Sequence, residues 1–119
     1  MIEQILKFLE QEYPRNAWLR SGPFQLYVRR GVHLLDKMRD TLDLANMEIE
    51  EAYRGLGTFT QFIDSLEEIQ LPNVEVIFVE NVLQPRFQAF WARRGYTLKK
   101  NTMFDNMDGP PSYWKIHDR

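Results

Sequence analysis

Residues 41–59 read TLDLANMEIEEAYRGLGTF, and the parsing of that run decides the fold. Apolar side chains alternate at Leu42 and Leu44 and again at Met47 and Ile49, the second pair out of phase with the first. Period two means a strand, and a phase change without a turn residue predicts a β-bulge near Ala45 and Asn46. The same alternation sets Glu48 and Glu50 on the face opposite Met47 and Ile49. Next, Arg54-Gly55-Leu56-Gly57-Thr58 places two glycines and a cation directly before an amphipathic run. Glycine lets a backbone approach a ligand closely, and a helix N-terminus offers free N–H groups and the positive end of a dipole. Together these predict a phosphorylated ligand lying along a bulged strand, with its phosphates at the start of a helix.

Working outward toward the C-terminus, Phe59, Phe62, Ile63, Leu66 and Ile69 give a helix with one buried face, ended by Pro72 and Asn73. Residues 74–79 (VEVIFV) form a nearly continuous apolar run, as in a strand covered on both faces. Strand, helix and strand in succession imply a crossover, so this strand is expected to lie parallel to the bulged one. Pro85 suits the first turn of a last helix that buries Phe87, Phe90 and Trp91 and stops at Gly95. Residues 96–100 and 113–117 are expected to close the sheet as an antiparallel pair. The long connection between them carries Met103, Phe104 and Met107, an adaptable apolar surface expected to border an acceptor or partner site.

Toward the N-terminus, Ile2, Ile5, Leu6, Leu9 and Tyr13 follow helical spacing up to Pro14. Residues 16–20 are expected to form a second short helix stopped by Ser21-Gly22-Pro23. Residues 24–29 alternate as a strand, Arg30-Gly31 suggests a turn, and residues 32–38 a second strand. Arg39-Asp40 then turns into the bulged strand, which completes an antiparallel meander. The whole order is α-β-β-β-α-β-α-β-β in one domain spanning residues 1–119, an α/β fold with a mixed sheet.

Two of these stretches resemble the GNAT family of N-acetyltransferases. Residues 49–57 (IEEAYRGLG) are similar to its strand-and-loop segment, whose loop follows Gln/Arg-x-x-Gly-x-Gly/Ala. Arg54 and Gly57 match that pattern, and Phe59 stands where the family carries Gly or Ala. Residues 74–96 are similar to the family's later strand and its N-x-x-A-x-x-L-Y-x-x-x-G-F helix, ending in the same glycine–aromatic step at Gly95-Tyr96. The resemblance implies an acetyltransferase-like fold whose fourth and fifth strands splay beside the bulge; here these are the bulged strand and residues 74–79. Family members usually begin with a strand before the first helix, whereas this chain opens on that helix.

Acetyl-coenzyme A is then the implied co-substrate. Its pantetheine arm would pair with the backbone of Met47 and Ile49, and its pyrophosphate would take donors from Arg54, Gly55, Leu56, Gly57 and Thr58. Acetyl transfer to an amine needs a base, and Glu48 and Glu80 are the candidates near the splay. The family's usual acid is a tyrosine in the last helix; Trp91 holds that position here, and an indole N–H is no practical proton source. The implied function is N-acetyl transfer to a small-molecule or protein amine. A non-catalytic binding or regulatory module with the same fold is the alternative, and a homodimer is left open.

Composition narrows the classes further. With 119 residues, 27% charged and a formal charge of −2, the chain has no general attraction for nucleic acid or anionic membranes. The basic pairs Arg29-Arg30 and Arg93-Arg94 are expected to be solvated faces, with Arg93 or Arg94 a candidate for the adenosine 3′-phosphate. No run approaches the roughly 18 apolar residues of a membrane span. The absence of cysteine excludes disulfides and thiol nucleophiles and fits a cytoplasmic protein. Two histidines far apart in sequence argue against a zinc site.

Overall fold

The computed structural model describes residues 1–99 and 109–118. Helix α1 (Ile2–Glu10) leads into three antiparallel strands, β1 (Asn16–Ser21), β2 (Phe24–Leu34) and β3 (Met38–Ile49). A 3-10 turn at Glu51–Tyr53 precedes α2 (Thr58–Glu68); β4 (Val76–Val79), α3 (Pro85–Arg93), β5 (Thr97–Lys99) and β6 (Ser112–Ile116) follow. The strands form one mixed sheet in the order β1-β2-β3-β4-β6-β5. Among the described strands only β3 and β4 pair in parallel, as a strand–helix–strand crossover requires.

Two local expectations are corrected by the sheet. Residues 16–20 are strand, not helix: β1 pairs along its whole length with β2, and Gly22 (φ +56°) and Pro23 form a two-residue hairpin loop between them. The same glycine and proline punctuation that suggested a helix stop is a hairpin turn. Trp18 then sits on the outer face against Tyr27, with ring centroids 5.1 Å apart. Arg30-Gly31 is not a turn either. It lies inside β2, and the chain reverses around residues 35–37, where Leu35 N–H donates to the Lys37 carbonyl (2.9 Å) and Asp36 accepts from the Arg39 side chain. Leu35, expected inside a strand spanning residues 32–38, lies in the bend between β2 and β3.

Gly31 has a different reason to be glycine. A Cβ there would come 2.5 Å from Asp43 Oδ2 and 2.8 Å from Thr41 Oγ1, side chains that are themselves buried. The missing side chain leaves room for a carboxylate against β2. Gly31→Ala is therefore expected to lower stability by about 1–3 kcal/mol through overpacking, measured by urea unfolding. A cost below a few tenths of a kcal/mol would mean that Asp43 moves aside freely.

The bulge is where the phase change put it. Val28 pairs with Leu44 and Tyr27 with Asn46, so Ala45 is the extra residue of β3. One core joins Ile5 and Leu9 of α1, Ile63 and Leu66 of α2 and Trp91 of α3 to Leu42, Leu44, Ile77 and Val79 of the sheet. Because strand side chains alternate, Thr41, Asp43 and Phe78 point to the other face. Residues 100–108, including Met103, Phe104 and Met107, lie outside the described residues, so the expectation of an acceptor-facing loop there is not addressed by the structure. Among the described residues no helix is long and apolar enough to cross a membrane.

Candidate functional site

Strands β3 and β4 pair only from Thr41/Val76 to Leu44/Val79, with a last bond from Glu80 N–H to the Leu44 carbonyl (3.2 Å). Beyond this point β3 runs on to Ile49 while the chain after β4 turns away. Asn81 takes a left-handed conformation (φ +51°) and its N–H donates to Ser112 Oγ (3.1 Å), and Val82 N–H donates to the Pro111 carbonyl (2.8 Å). These bonds draw residues 80–82 toward β6 and open a cleft of about 1050 Å³ between β3 and the approach to α3.

The open side of β3 is a strand edge. Glu50 N–H donates to the Pro23 carbonyl (3.0 Å), toward β2, so by alternation the main-chain groups of Met47 and Ile49 face the cleft. The Ile49 carbonyl already accepts from Arg54 Nε (3.0 Å), which fixes Arg54 at the cleft rim. Met47, Ile49, Arg54 and Gly55 all line the cleft, together with Phe59 and Thr60 of the first turn of α2. Leu56, Gly57 and Thr58 are not part of its wall, and Leu56 points to solvent. Gly55 and Gly57 both have φ near +80°, backbone that L side chains rarely adopt. Among the described residues no side chain caps α2, and its first turn carries no carboxylate, an arrangement suited to an anion.

Phe59 packs inward, its ring against Phe87, Phe90 and Trp91 at centroid distances of 5.2–6.0 Å. A bulky residue at that position thus forms an apolar cleft wall as part of an aromatic cluster. Trp91 is 1% exposed and meets Phe90 and Tyr96 edge-on. Neither Tyr96 nor Tyr113 lines the cleft. The Tyr96 hydroxyl donates to Glu67 Oε2 (2.8 Å), and burial, then the Glu67 charge, pushes its pKa up.

Glu48 and Glu80 lie on the cleft wall but in different environments. Glu48 is exposed. Glu80 is half-buried and held by Arg29 through two contacts of 3.1 and 3.2 Å. Burial raises its pKa above the ordinary carboxylate range; Arg29 opposes that rise, and the nearby Asp43 carboxylate adds to it. Sequence reasoning missed the neighbours. Asp43, 2% exposed, accepts from Thr41 Oγ1 (2.5 Å) and lies 2.9 Å from His33 Nε2. His33 stacks on Phe78 with centroids 3.9 Å apart. Donor atoms of His33, Asp43 and Glu80 fall within 4.8 Å of one another, a mixed set of the kind that holds metals. The sequence did carry one signal: an aspartate in an otherwise apolar strand stretch, LDL at residues 42–44.

The basic pairs are not simply solvated. Arg29 serves Glu80, Arg30 Nη1 donates to the Gln11 carbonyl (2.5 Å), and Arg94 is bound by Asp64 and Glu67. Of the two arginines suggested for a 3′-phosphate, Arg94 is thus engaged elsewhere, while Arg93 lines the cleft with Arg86 and Arg54. No protein-family model matches this chain, and no curated protein is similar to it in sequence.

Proposed function

We propose that the cleft binds acetyl-coenzyme A and that the protein transfers the acetyl group to an amine, as the resemblance to the GNAT family implies. The observation that carries this reading is the parting of two parallel strands directly after the bulge, beside an uncapped helix N-terminus. The open edge at Met47 and Ile49 suits the amides of a pantetheine arm, which would enter as an added strand. Aromatic walls at Phe59 and Phe87 suit its apolar parts. Arg54 and the first turn of α2 suit the pyrophosphate, with Arg86 and Arg93 adding positive charge along the wall.

In this reading Glu80 is the base. It takes a proton as the amine nitrogen attacks the thioester carbonyl, and Arg29 fixes its orientation. Glu48, exposed at the same wall, is a weaker candidate because solvent competes for it. Trp91 supplies no proton; water protonates the departing thiolate. A cytoplasmic setting belongs to this proposal. The rival reading, a non-catalytic module with the same cleft, is favoured by one observation: no tyrosine lines the cleft wall among the described residues.

Calorimetry with coenzyme A is the direct test, and Thr60→Glu separates ligand binding from folding. A carboxylate in the first turn of α2 is expected to stabilise the helix by about 0.3–1 kcal/mol. The same charge on the cleft wall is expected to weaken coenzyme A binding by about tenfold or more. Opposite signs in the two measurements support the site. A parent protein that gives no heat with millimolar coenzyme A sinks the reading; binding without transfer to any amine favours the non-catalytic module.

A further inference from the structure

The charge of the cleft differs between the two faces of the sheet. Every residue from Leu44 to Glu50 lines it, so both faces of β3 border it. Asn46 and Glu48 pair with Tyr27 and Gln25, which alternate with the buried Leu26 and so lie on the face away from the helices. Glu80 joins them there, held by Arg29 of the same β2 face. The arginines of the cleft wall, Arg54, Arg86 and Arg93, come instead from the approach to α2 and from α3. The helix side is thus cationic and suits phosphates, whereas the mouth on the far face is acidic. We propose that the acceptor at this mouth is an aliphatic amine with a second cationic group and no carboxylate, and that Glu48 holds the second cation. This rests on the reading of the cleft as a coenzyme A site with Glu80 as the base.

Glu48 is singled out by its lack of a partner. Glu50 pairs with Arg20 (3.5 Å) and Glu80 with Arg29 (3.1 Å). Glu48 makes no ion pair and no side-chain hydrogen bond among the described residues, yet it lines the cleft. Arg29 does not cancel the negative charge of the mouth. It is taken up by Glu80 and lies 5.7 Å from the centre of the Tyr27 ring, and the Asp43 carboxylate behind it adds a further negative charge. Such a mouth attracts a cation and repels a carboxylate. The chemistry also asks for a second anchor. The reacting nitrogen has to become neutral before it attacks, so it loses the charge that would hold it. A second ammonium keeps its charge throughout and meets the unpaired Glu48.

The step balances. The amine nitrogen bonds to the acetyl carbonyl carbon, the C–S bond of the thioester breaks, and the nitrogen's proton goes to Glu80. Water protonates the departing thiolate, and Glu80 returns its proton to water. The second ammonium is unchanged from substrate to product.

The test uses three amines of one chain length that differ at the far end: 1,4-diaminobutane, butylamine and γ-aminobutyrate. The parent is expected to use the diamine about fivefold better than butylamine in kcat/KM, the scale of one exposed ion pair, and γ-aminobutyrate least of all. Glu48→Gln is expected to erase the preference for the diamine through KM with kcat unchanged, and Glu48→Lys to place γ-aminobutyrate above the diamine. Equal use of the diamine and butylamine by the parent, or an order that survives Glu48→Lys, overturns the proposal. Where no amine is acetylated, NMR of the Gln25 and Asn46 side-chain amides decides. The diamine is expected to shift them at millimolar concentration where butylamine does not, and Glu48→Lys to abolish that response; shifts alike for both amines overturn the proposal. Calorimetry with coenzyme A separates the two readings. Heat from coenzyme A without selectivity for the diamine overturns the acceptor assignment alone. Selective diamine binding without heat from coenzyme A leaves Glu48 in a cation site and overturns its role in acetyl transfer.

Discussion

Trp91→Ala is expected to lower unfolding stability by about 3–5 kcal/mol, the range for a large aromatic removed from a packed core. Trp91 is 1% exposed, and its ring joins α3 to Phe59 of α2 and to Tyr96 at the start of the next strand. Its loss therefore loosens the contact between the two helices that flank the cleft as well as leaving a cavity. Against a total of roughly 5–15 kcal/mol for a domain of this size, that is a large share. Urea denaturation read with the m-value checks it; a loss under about 1 kcal/mol would show that the indole is not a core group. The same burial decides the fate of Trp91→Tyr. A phenol there has to place its hydroxyl among aromatic rings, so a stability loss is expected and no gain in transfer rate.

On the proposed reading, Glu80→Gln is expected to slow acetyl transfer by about 10²–10⁴-fold with coenzyme A affinity unchanged, because an amide cannot take the amine proton. Glu48→Gln is expected to change the rate far less. The pH dependence follows from the raised pKa of Glu80, caused first by burial and then by Asp43, against Arg29. A base acts when deprotonated, so the parent rate rises with pH through that raised value, and the limb disappears in Glu80→Gln. The stability sign is the reverse. A carboxyl whose folded pKa exceeds its unfolded one binds protons more tightly when folded, so its contribution to stability falls as pH rises between the two values. Glu80→Gln removes that slope. Transfer at the parent rate by the variant would end the assignment.

Much of this molecule was legible in local pattern. The phase change between Leu44 and Met47 located the bulge at Ala45, because strand period is strict enough that a single extra residue shows. The apolar run 74–79 marked a strand covered on both faces, and the crossover made it parallel to β3. Where the pattern was short, pairing partners decided. Five residues from Asn16 carry too little periodicity to distinguish helix from strand, and their hydrogen bonds to β2 settle the matter.

Gly31 shows the limit from the other side. Beside Arg30 it has the composition of a turn, yet it sits in mid-strand because Asp43, twelve residues away, needs its space. The site divides in the same way. The sequence by itself determined the cleft's components: a bulged strand, a glycine loop and a helix start, all local in the chain. Only the tertiary structure decided that Glu80 is half-buried and gripped by Arg29, and that Asp43 and His33 stand behind it. Those contacts join β2, β3 and the end of β4 across 10 to 51 positions of sequence, and no local period records which strand lies beside which.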